Sequence, residues 1–303
     1  MSRPPLRVWR FGDGKPGHDS QSRGLLAALQ RRVPLQVREV QVPWPWRSLL
    51  GRLPLPPDAP PPDLLLGAGH ASHRPLLQAR RRFGGRAVVL MRPSLPAAWF
   101  DLCLVPEHDG AQPSAHVLPT RGVLNAVQAV AGPRDGSGLL LVGGPSRHHA
   151  WDGDDLLAQV AAVVDAEPDR PWTLTTSRRT PAAFVDRVRA LQRAQLEVLP
   201  VGETAPGWLA GRVARAEVAW VSEDSVSMIF EALTGGARVG LLALPPLGGT
   251  GRVLRGLDSL LQAGWVATYA QWLQHGTLPP ARAGFNEAER CADLLLERWW
   301  PAA

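Results

Sequence analysis

Hydroxyl and carboxylate groups are concentrated in the turn at residues 222–225, between an apolar run and a helical pattern. Asp224 or Ser225 can cap the helix that follows, and Ser227 and Glu231, four residues apart, share one of its faces. Free backbone N–H groups at a helix start suit a diphosphate, and a hydroxyl with a carboxylate suits the hydroxyls of a ribose or sugar. The pattern predicts a nucleotide-sugar site at Asp224, Ser225, Ser227 and Glu231, although an ordinary βαβ unit has the same pattern.

Three further segments, 143–147, 175–179 and 248–252, carry groups that bind phosphate. The first and third are glycine-rich, and a glycine turn with a hydroxyl at the carboxyl end of a strand can hold a phosphate. Arginines of the second can bind two phosphate oxygens at once and stabilise the charge on a departing nucleotide. Surface arginines are the alternative interpretation. The candidate ligands are Gly144, Ser146, Ser177, Arg178, Arg179 and Arg252.

The first loop of the chain, residues 11–19 (FGDGKPGHD), has the composition of a site for an acceptor, the molecule whose hydroxyl would receive a transferred sugar. Asp13 or His18 can act as the base that activates an acceptor hydroxyl. A helix-entry histidine bonded to the backbone is an equally good interpretation of His18. The expected binding residues here are Gly14, Lys15 and Gly17, the lysine for an anionic group and the glycines for close approach.

The same loop has the glycine spacing of a dinucleotide-binding fingerprint, with Glu39 about twenty residues further on. Pro16 interrupts the loop, the helical pattern starts only near Ser20, and Glu39 lies inside a strand pattern rather than at its end. An NAD(P)-dependent nucleotide-sugar epimerase therefore stays a secondary hypothesis. Its short-chain version needs a Tyr-x-x-x-Lys pair, but the chain has one tyrosine, Tyr269, and one lysine, Lys15, far apart.

The composition excludes several classes of protein. The chain has 303 residues, of which 45% are hydrophobic and 20% charged, as in folded domains rather than disordered chains. No apolar run approaches the roughly 18–20 residues of a transmembrane helix, and the N-terminus lacks the apolar core of a secretory signal. Two distant cysteines, Cys103 and Cys291, predict neither a disulfide framework nor a zinc site. We therefore expect a cytoplasmic protein.

The net charge of +6 is carried almost wholly by arginine. The arginines are scattered, with 80–82 as the densest run, so we expect no nucleic-acid partner. The histidines at 70, 73, 148 and 149 lack the accompanying carboxylates or cysteines of a metal site. We expect no metal and no cofactor.

Apolar runs alternate with helical patterns along the chain, which predicts the α/β class with parallel sheets. The composition of 131–137 is that of a linker. We predict two Rossmann-like domains, at 1–133 and 138–284, facing a cleft where such folds bind ligands. A last helix within 285–303 is expected to pack on the N-terminal domain. The predicted strands are 7–11, 35–42, 63–67, 86–91, 100–105, 138–142, 172–176, 197–200, 217–222 and 238–244.

Several sequence blocks, in order over about residues 7–260, resemble one family: the bacterial relatives of the plant mitochondrial-fission protein named for elongated mitochondria. The blocks are DGKPGHDSQSRGL, GAGHASHRPLL, VLMRPSLP, FDLCLVPEHD, PTRGVLNAV, LVGGPSRHHAWD, TTSRRTP and VSEDSVSMIFEAL. The family is similar to GT-B glycosyltransferases, in which a carboxylate on the helix after such a turn binds the nucleotide ribose.

The resemblance implies a nucleotide sugar as substrate and a metal-independent glycosyl transfer. The expected acceptor is an anionic, envelope or lipid-linked molecule at the inner face of the cytoplasmic membrane, where the basic stretch 80–82 suits a peripheral protein. A non-catalytic scaffold that keeps the fold and binds partners, as the fission role of the plant relatives suggests, is the other hypothesis.

Overall fold

The computed structural model describes residues 4–42, 60–205, 207–248 and 252–301, with side chains from 256 onward in the last range. The chain divides into two compact units. Unit 1 comprises residues 1–126 and 286–303, and unit 2 comprises residues 127–285. Each unit contains one parallel six-stranded sheet with helices, so the predicted α/β class is confirmed.

The strands are short, as expected for the cores of two parallel sheets. They are β1 (Leu6–Gly12), β2 (Leu35–Gln41), β3 (Leu64–Ala68), β4 (Arg86–Leu90), β5 (Leu102–Pro106), β6 (Val117–Thr120), β7 (Gly138–Val142), β8 (Trp172–Thr176), β9 (Leu196–Val198), β10 (Val218–Ser222), β11 (Arg238–Leu242) and β12 (Val266–Thr268). The central strands β3, β5, β7, β8 and β10 are buried along their whole length, because both sheet faces are covered.

The helices connect the strands, and the last one closes the chain. They are α1 (Pro16–Gln30), α2 (His70–Phe83), α3 (Gly153–Ala166), α4 (Ala182–Arg189), α5 (Trp208–Val213), α6 (Val226–Gly235), α7 (Arg252–Gln262), α8 (Tyr269–His275) and α9 (Glu287–Trp299). Among the residues that the structure describes, no helix has the length and apolar character needed to cross a bilayer.

The strand order in unit 1 is β2-β1-β3-β4-β5-β6, and every neighbouring pair is parallel. The order reverses between β1 and β3, because the chain leaves β1 toward one side and later returns on the other. Ligands of doubly wound sheets bind at the carboxyl ends of the two strands that flank such a switch point. In unit 1 those ends carry the 12–15 loop and Gly69.

The strand order in unit 2 is β12-β11-β10-β7-β8-β9, again with parallel pairs. Here the switch point lies between β7 and β10, which pair directly, with Val221 opposite Leu141. The turns that follow these two strands are the segments at 143–147 and 222–225. The topology therefore brings two predicted ligand segments, about eighty residues apart in sequence, to one point.

The core of unit 1 lies on both faces of its sheet. On one face α1 and α9 pack with β1 and β3, through Leu25, Leu29 and Leu295, each fully buried. On the other face α2 packs through Leu76 against Phe11 and neighbouring residues. Unit 2 has a corresponding core beneath α3 and α4, with Trp172 and Trp220 among its largest buried side chains.

Some helix starts differ from the predictions. α1 begins at Pro16, not near Ser20, because proline suits the first helical position, where its missing N–H would have had no intrahelical partner. α2 begins at His70 rather than His73. The strands β6 and β12 are absent from the predicted elements, since three- to four-residue strands carry little periodic signal. The helices α7 and α8 are also absent from them.

Candidate functional site

The carboxylate of Asp224 joins the two turns at the switch point of unit 2. It is fully buried and accepts hydrogen bonds from the Gly144 N–H at 3.0 Å, the Ser222 hydroxyl at 2.7 Å and Arg179 Nη2 at 2.8 Å. The Ser222 oxygen in turn accepts a bond from the Gly143 N–H at 2.7 Å. The loop after β7 is thereby held against the loop after β10 by charge-assisted bonds away from solvent.

Glycine is required on the β7 side of this junction. A Cβ atom on Gly143 would lie 2.1 Å from an Asp224 carboxylate oxygen, and one on Gly144 would lie 2.4 Å from the backbone of Arg179. Any larger residue would therefore separate the two turns. The carboxylate of Asp224 lies beside the glycines that were expected to leave room for a phosphate, and the N–H of Gly144 donates its hydrogen bond to that carboxylate.

The start of α6 is left open by this arrangement. Ser225 is the N-cap residue, but neither its hydroxyl nor any other described side chain caps the helix. Asp224, the other predicted cap, points its carboxylate across to the β7 turn. The first N–H groups of α6 therefore keep the partial positive charge of a helix N-terminus, which attracts anions. Ser227, in the first turn, is exposed beside them.

Glu231 lies one turn further along α6 and is half-buried. Within the described chain no hydrogen-bond or ion-pair partner is found for its carboxyl group. Burial raises its pKa from 4.5 to about 7, since a desolvated carboxylate without a counter-charge is costly. A polar group in this state, near an uncapped helix start, is a candidate ligand-binding group.

The two neighbouring arginines after β8 have different surroundings. Arg179 is held by Asp224 and donates from Nη1 to the Gly144 and Pro145 carbonyls at 2.8 and 2.9 Å, so its guanidinium is committed to the protein. Arg178 is exposed and makes no ion pair within the ranges that the structure describes. Ser177 accepts a bond from the Arg179 N–H at 3.1 Å and shapes this turn. Arg178 is therefore the free cation of this turn.

Ser146 and His149 form a small turn after the glycines. The Ser146 hydroxyl oxygen accepts bonds from the N–H groups of His148 and His149 at 3.2 and 3.0 Å. His149 is 2% exposed, and its Nδ1 has no hydrogen-bond partner among the residues that the structure describes. Burial lowers the pKa of His149, with the nearby Asp224 carboxylate acting against that shift. The sequence places His149 among four histidines that lack the partners of a metal site, but its burial is not visible there, because a histidine pair in a turn carries no burial signal.

In unit 1, Asp13 and His18 form a carboxylate–imidazole pair at the switch point. His18 Nδ1 lies 2.9 Å from Asp13 Oδ2 and 3.1 Å from Oδ1, and the carboxylate is only 6% exposed. A proton on Nδ1 held by this carboxylate leaves Nε2 as the basic nitrogen of the ring. The two candidate bases predicted from sequence therefore contact each other, in a geometry in which the Asp13 carboxylate can orient the His18 ring.

The imidazole of His18 packs against Gly69, which follows the neighbouring strand β3. A Cβ at position 69 would lie 2.2 Å from His18 Cε1, and Gly69 has φ +78°, which other residues rarely adopt. Gly69 also precedes α2, whose start has no side-chain cap among the described residues. In the sequence, the segment GAGH is the only signal at Gly69, and it does not show that His18 lies against this glycine.

The remaining residues of the first loop face solvent. Gly14 and Lys15 are exposed, and the Lys15 amino group lies 3.9 Å from Asp13 Oδ2. Gly17 lies in the first turn of α1, where a Cβ would approach no described atom within 4 Å. It therefore does not provide the close helix–strand packing of a dinucleotide fingerprint.

Glu39, the acidic residue of that fingerprint, is already bound. Arg10, 1% exposed, donates from Nε to both Glu39 oxygens at 3.0 and 2.7 Å and from Nη1 to Asp19 and Ser22 at 2.7 and 2.9 Å. A ribose at Glu39, whose side chain is 40% exposed, would have to compete with this buried guanidinium for the carboxylate oxygens. This geometry does not fit the NAD(P) hypothesis.

No group of three or more metal-ligating side chains occurs in the part of the chain that the structure describes. His73 is buried, its Nδ1 lies 3.0 Å from the Ser94 hydroxyl, and burial lowers its pKa to about 4. Arg252 begins α7, but its side chain lies outside the described residues, as do 249–251 of the glycine-rich segment.

Comparison with known proteins identifies a family. The model of the family described as Mitochondrial fission ELM1 matches residues 16–299. No curated protein matches the chain significantly in sequence.

Three solved structures share the fold at low sequence identity. A candidate UDP-N-acetylglucosamine 2-epimerase from Listeria monocytogenes has 11% identity and a TM-score of 0.60, over 99% of this chain and 98% of that one. The UDP-GlcNAc 2-epimerase from Methanocaldococcus jannaschii has 9% identity and a TM-score of 0.58, over 96% and 100%. The calicheamicin glycosyltransferase CalG4 has 15% identity and a TM-score of 0.53, over 99% and 100%. The predicted GT-B-like fold is confirmed.

The buried junction predicts a large effect of Asp224→Ala on stability. The substitution leaves the Gly144 N–H and the Ser222 hydroxyl without their acceptor, so we expect the free energy of unfolding to fall by about 3–5 kcal/mol. Urea unfolding followed by circular dichroism measures this change. The matched control is Asp154→Ala, at a carboxylate 86% exposed and paired with Arg187, where the expected loss is below about 1 kcal/mol. Equal losses in the two variants would show that Asp224 does not hold the turns.

The raised pKa of Glu231 predicts a pH-dependent effect of Glu231→Gln. A carboxyl group whose pKa is higher in the folded than in the unfolded state does not lower the free energy of unfolding below pH 4.5. Above that pH the free energy of unfolding falls, and the loss is complete above about pH 7. Glu231→Gln should therefore raise the free energy of unfolding at pH 8 by up to about 3 kcal/mol, and by much less at pH 5. Urea unfolding at both pH values tests this. Glu197→Gln, at an exposed glutamate of unit 2, is the control, and a gain independent of pH would contradict the assignment.

Proposed function

This chain belongs to the Mitochondrial fission ELM1 family, and we propose that it is a glycosyltransferase of GT-B type that binds a nucleotide sugar through unit 2. The observation that carries the proposal is the switch point of unit 2. There an uncapped helix start, an unpaired arginine and a half-buried carboxyl group occur together. A ligand would give the desolvated Glu231 carboxyl group a hydrogen-bond partner, and the helix start and the exposed arginine would exchange water for its negative charge.

The diphosphate of the donor is proposed to lie at the start of α6. Its negative charge would be stabilised by the open N–H groups of the helix and by Arg178, whose guanidinium can bind two phosphate oxygens. The Ser146 turn and Ser177 line the same edge of the sheet. Arg252 is proposed as a further phosphate ligand from the glycine-rich segment.

The ribose is proposed to bind to Glu231 and Ser227, which share one face of α6. Glu231 would accept hydrogen bonds from the ribose hydroxyls, and these bonds replace the water that burial has removed. Asp224, Arg179 and Gly144, predicted from sequence as direct ligands, are proposed instead to position the two turns, since their polar groups already bind one another. Ser225 is proposed to leave its own N-cap position open to phosphate.

Unit 1 is proposed to activate the acceptor through His18. In the transfer step His18 Nε2 takes the proton of an acceptor hydroxyl, and the hydroxyl oxygen forms a bond to the anomeric carbon of the sugar. The bond from that carbon to the diphosphate breaks, and the nucleoside diphosphate leaves with the electron pair. Asp13 stabilises the imidazolium that results. Lys15, with the backbone at Gly14 and Gly17, is proposed to hold an anionic group of the acceptor, as on an envelope or lipid-linked molecule.

A ligand panel tests the donor site. We expect one class among UDP-, GDP-, ADP-, CMP- and dTDP-sugars to raise the melting temperature, because a ligand at 100 times its Kd stabilises by about 2.7 kcal/mol. Arg178→Ala should raise the Kd for that donor about 10- to 100-fold, which corresponds to one lost charge-assisted contact. Arg193→Ala is the control, because Arg193 pairs with Asp165 and precedes β9, at the other edge of the sheet. Stabilisation by NAD(P) alone would refute the proposal.

A second experiment tests the base. With the donor found in the panel, release of nucleoside diphosphate should slow by about 10²- to 10⁴-fold in His18→Ala, while the Kd for the donor stays within about twofold because His18 lies in unit 1. His70→Ala removes a neighbouring exposed imidazole that has no carboxylate partner in the described part of the chain, and its rate should match that of the wild type. Tight donor binding with no release in any variant would favour the non-catalytic scaffold.

A further inference from the structure

Arginines and tryptophans gather at the amino-terminal edge of the sheet in unit 1, the edge opposite the His18 pair. We call Arg80, Arg81, Arg82, Arg86, Trp99 and Trp299 the basic aromatic edge. Arg80–Arg82 form the last turn of α2, Arg86 begins β4, Trp99 precedes β5 and Trp299 ends α9. The fold, and not the sequence order, brings these residues together.

The edge is continuous through direct contacts. Arg80 Nη1 donates to the Trp99 carbonyl at 2.8 Å, and its Nη2 donates to the Asp101 carboxylate at 3.1 Å. Arg86 Nη1 donates to the same Asp101 oxygen at 3.3 Å, and its guanidinium lies 5.5 Å from the centre of the Trp299 ring. The two ends of the edge, Trp99 and Trp299, are thus joined by two arginines and one carboxylate.

Positive charge exceeds negative charge along the edge. Arg80 and Arg86 share the single carboxylate of Asp101. Arg81 and Arg82 are exposed and make no ion pair within the described residues. The helix that carries them, α2, has no acidic residue in its sequence HASHRPLLQARRRF. The nearby Arg7–Asp63 pair adds no net charge.

An apolar group is exposed beside these charges. The Trp99 side chain is 51% exposed, although tryptophan usually buries most of its surface. Next to it a cavity of about 420 Å³ opens to the surface, lined by Arg80, Arg86, Asp101 and Trp299 among others. Indole rings prefer the headgroup level of a bilayer, where one part of the ring is apolar and the other is hydrated. Arginines beside them are attracted to anionic headgroups.

We propose that the basic aromatic edge binds the surface of an anionic lipid membrane, with Trp99 at headgroup depth and Arg81 and Arg82 against lipid phosphates. A nucleic acid fits less well. The Trp299 ring has the guanidinium groups of Arg86 and Arg298 at 5.5 and 5.4 Å. Trp99 is then the one exposed ring of the edge, whereas successive bases stack on a series of ring faces. The edge is independent of the proposed transferase site, because none of its residues binds donor or acceptor there.

Sedimentation with sucrose-loaded vesicles tests the proposal on the full chain. The wild type should sediment with vesicles of phosphatidylcholine and 30% phosphatidylglycerol, and not with phosphatidylcholine alone. Arg81→Ala/Arg82→Ala should lower the partition coefficient about 30-fold, since each arginine near an anionic surface contributes about a fivefold factor. Raising the salt to 0.5 M should weaken binding. Trp99→Ala should weaken binding at both salt concentrations.

Arg23→Ala/Arg215→Ala is the matched control, because it removes two exposed arginines outside the edge. It should keep the partition coefficient within about twofold of the wild type. An equal loss in the control would mean that the net charge alone binds the vesicles, and would overturn the proposal. The proposal would also be overturned if the wild type did not bind the vesicles. The same holds if the wild type bound a mixed-sequence RNA instead of vesicles, and Arg81→Ala/Arg82→Ala abolished that RNA binding. Melting temperatures confirm that each variant is folded, and donor binding in the same variants is expected to be unchanged.

Discussion

The buried carboxylate of Asp224 is the constraint on which the site of unit 2 depends. A carboxylate removed from water needs several donors, and here a backbone N–H, a hydroxyl and a guanidinium supply them. Those donors come from three different connections, after β7, β8 and β10. Their convergence holds the three turns in one arrangement, and it also removes Asp224 from the start of α6. The helix start is thus open to a ligand as a direct consequence of the bond that fixes its position.

Both units require a close approach of two loops at the switch point of the sheet, but different residues make that approach. In each, a doubly wound sheet reverses its strand order, and the loops on either side of the reversal must approach closely. In unit 2 the approach is made by Gly143 and Gly144 against Asp224, and in unit 1 by Gly69 against His18. Glycine is needed at these points because a Cβ atom would occupy the position of the neighbouring polar group. The carboxylate pairs that result differ in purpose: Asp224 fixes backbone, whereas Asp13 orients a ring.

The polar groups of the sheet edges fall into two kinds, and the difference is visible only in their partners. Arg179, Arg10 and Asp224 have their hydrogen-bonding capacity used within the protein, and these residues stabilise it. Arg178 is exposed without an ion pair in the described chain, and Glu231 is half-buried without a counter-charge. A half-buried carboxyl group without a counter-charge lowers stability unless a ligand binds it, whereas an exposed arginine is hydrated and stays available to an anion. Glu231 therefore marks a site more reliably than the total number of arginines does.

The sequence by itself determined the α/β class, most of the strands, the family resemblance and the segments in which polar groups end strands. Periodic apolar runs and glycine turns are local properties, so they can be read without knowing the fold. Only the tertiary structure decided which of the polar residues are free. Arg178 and Arg179 are adjacent and chemically identical, yet Arg179 is bound to Asp224. Glu39 has the spacing of a ribose ligand, yet it is bound to Arg10. These partners lie many residues away or on another strand. Whether a side chain can bind a ligand depends on such contacts, because the fold determines which groups bury it or pair with it.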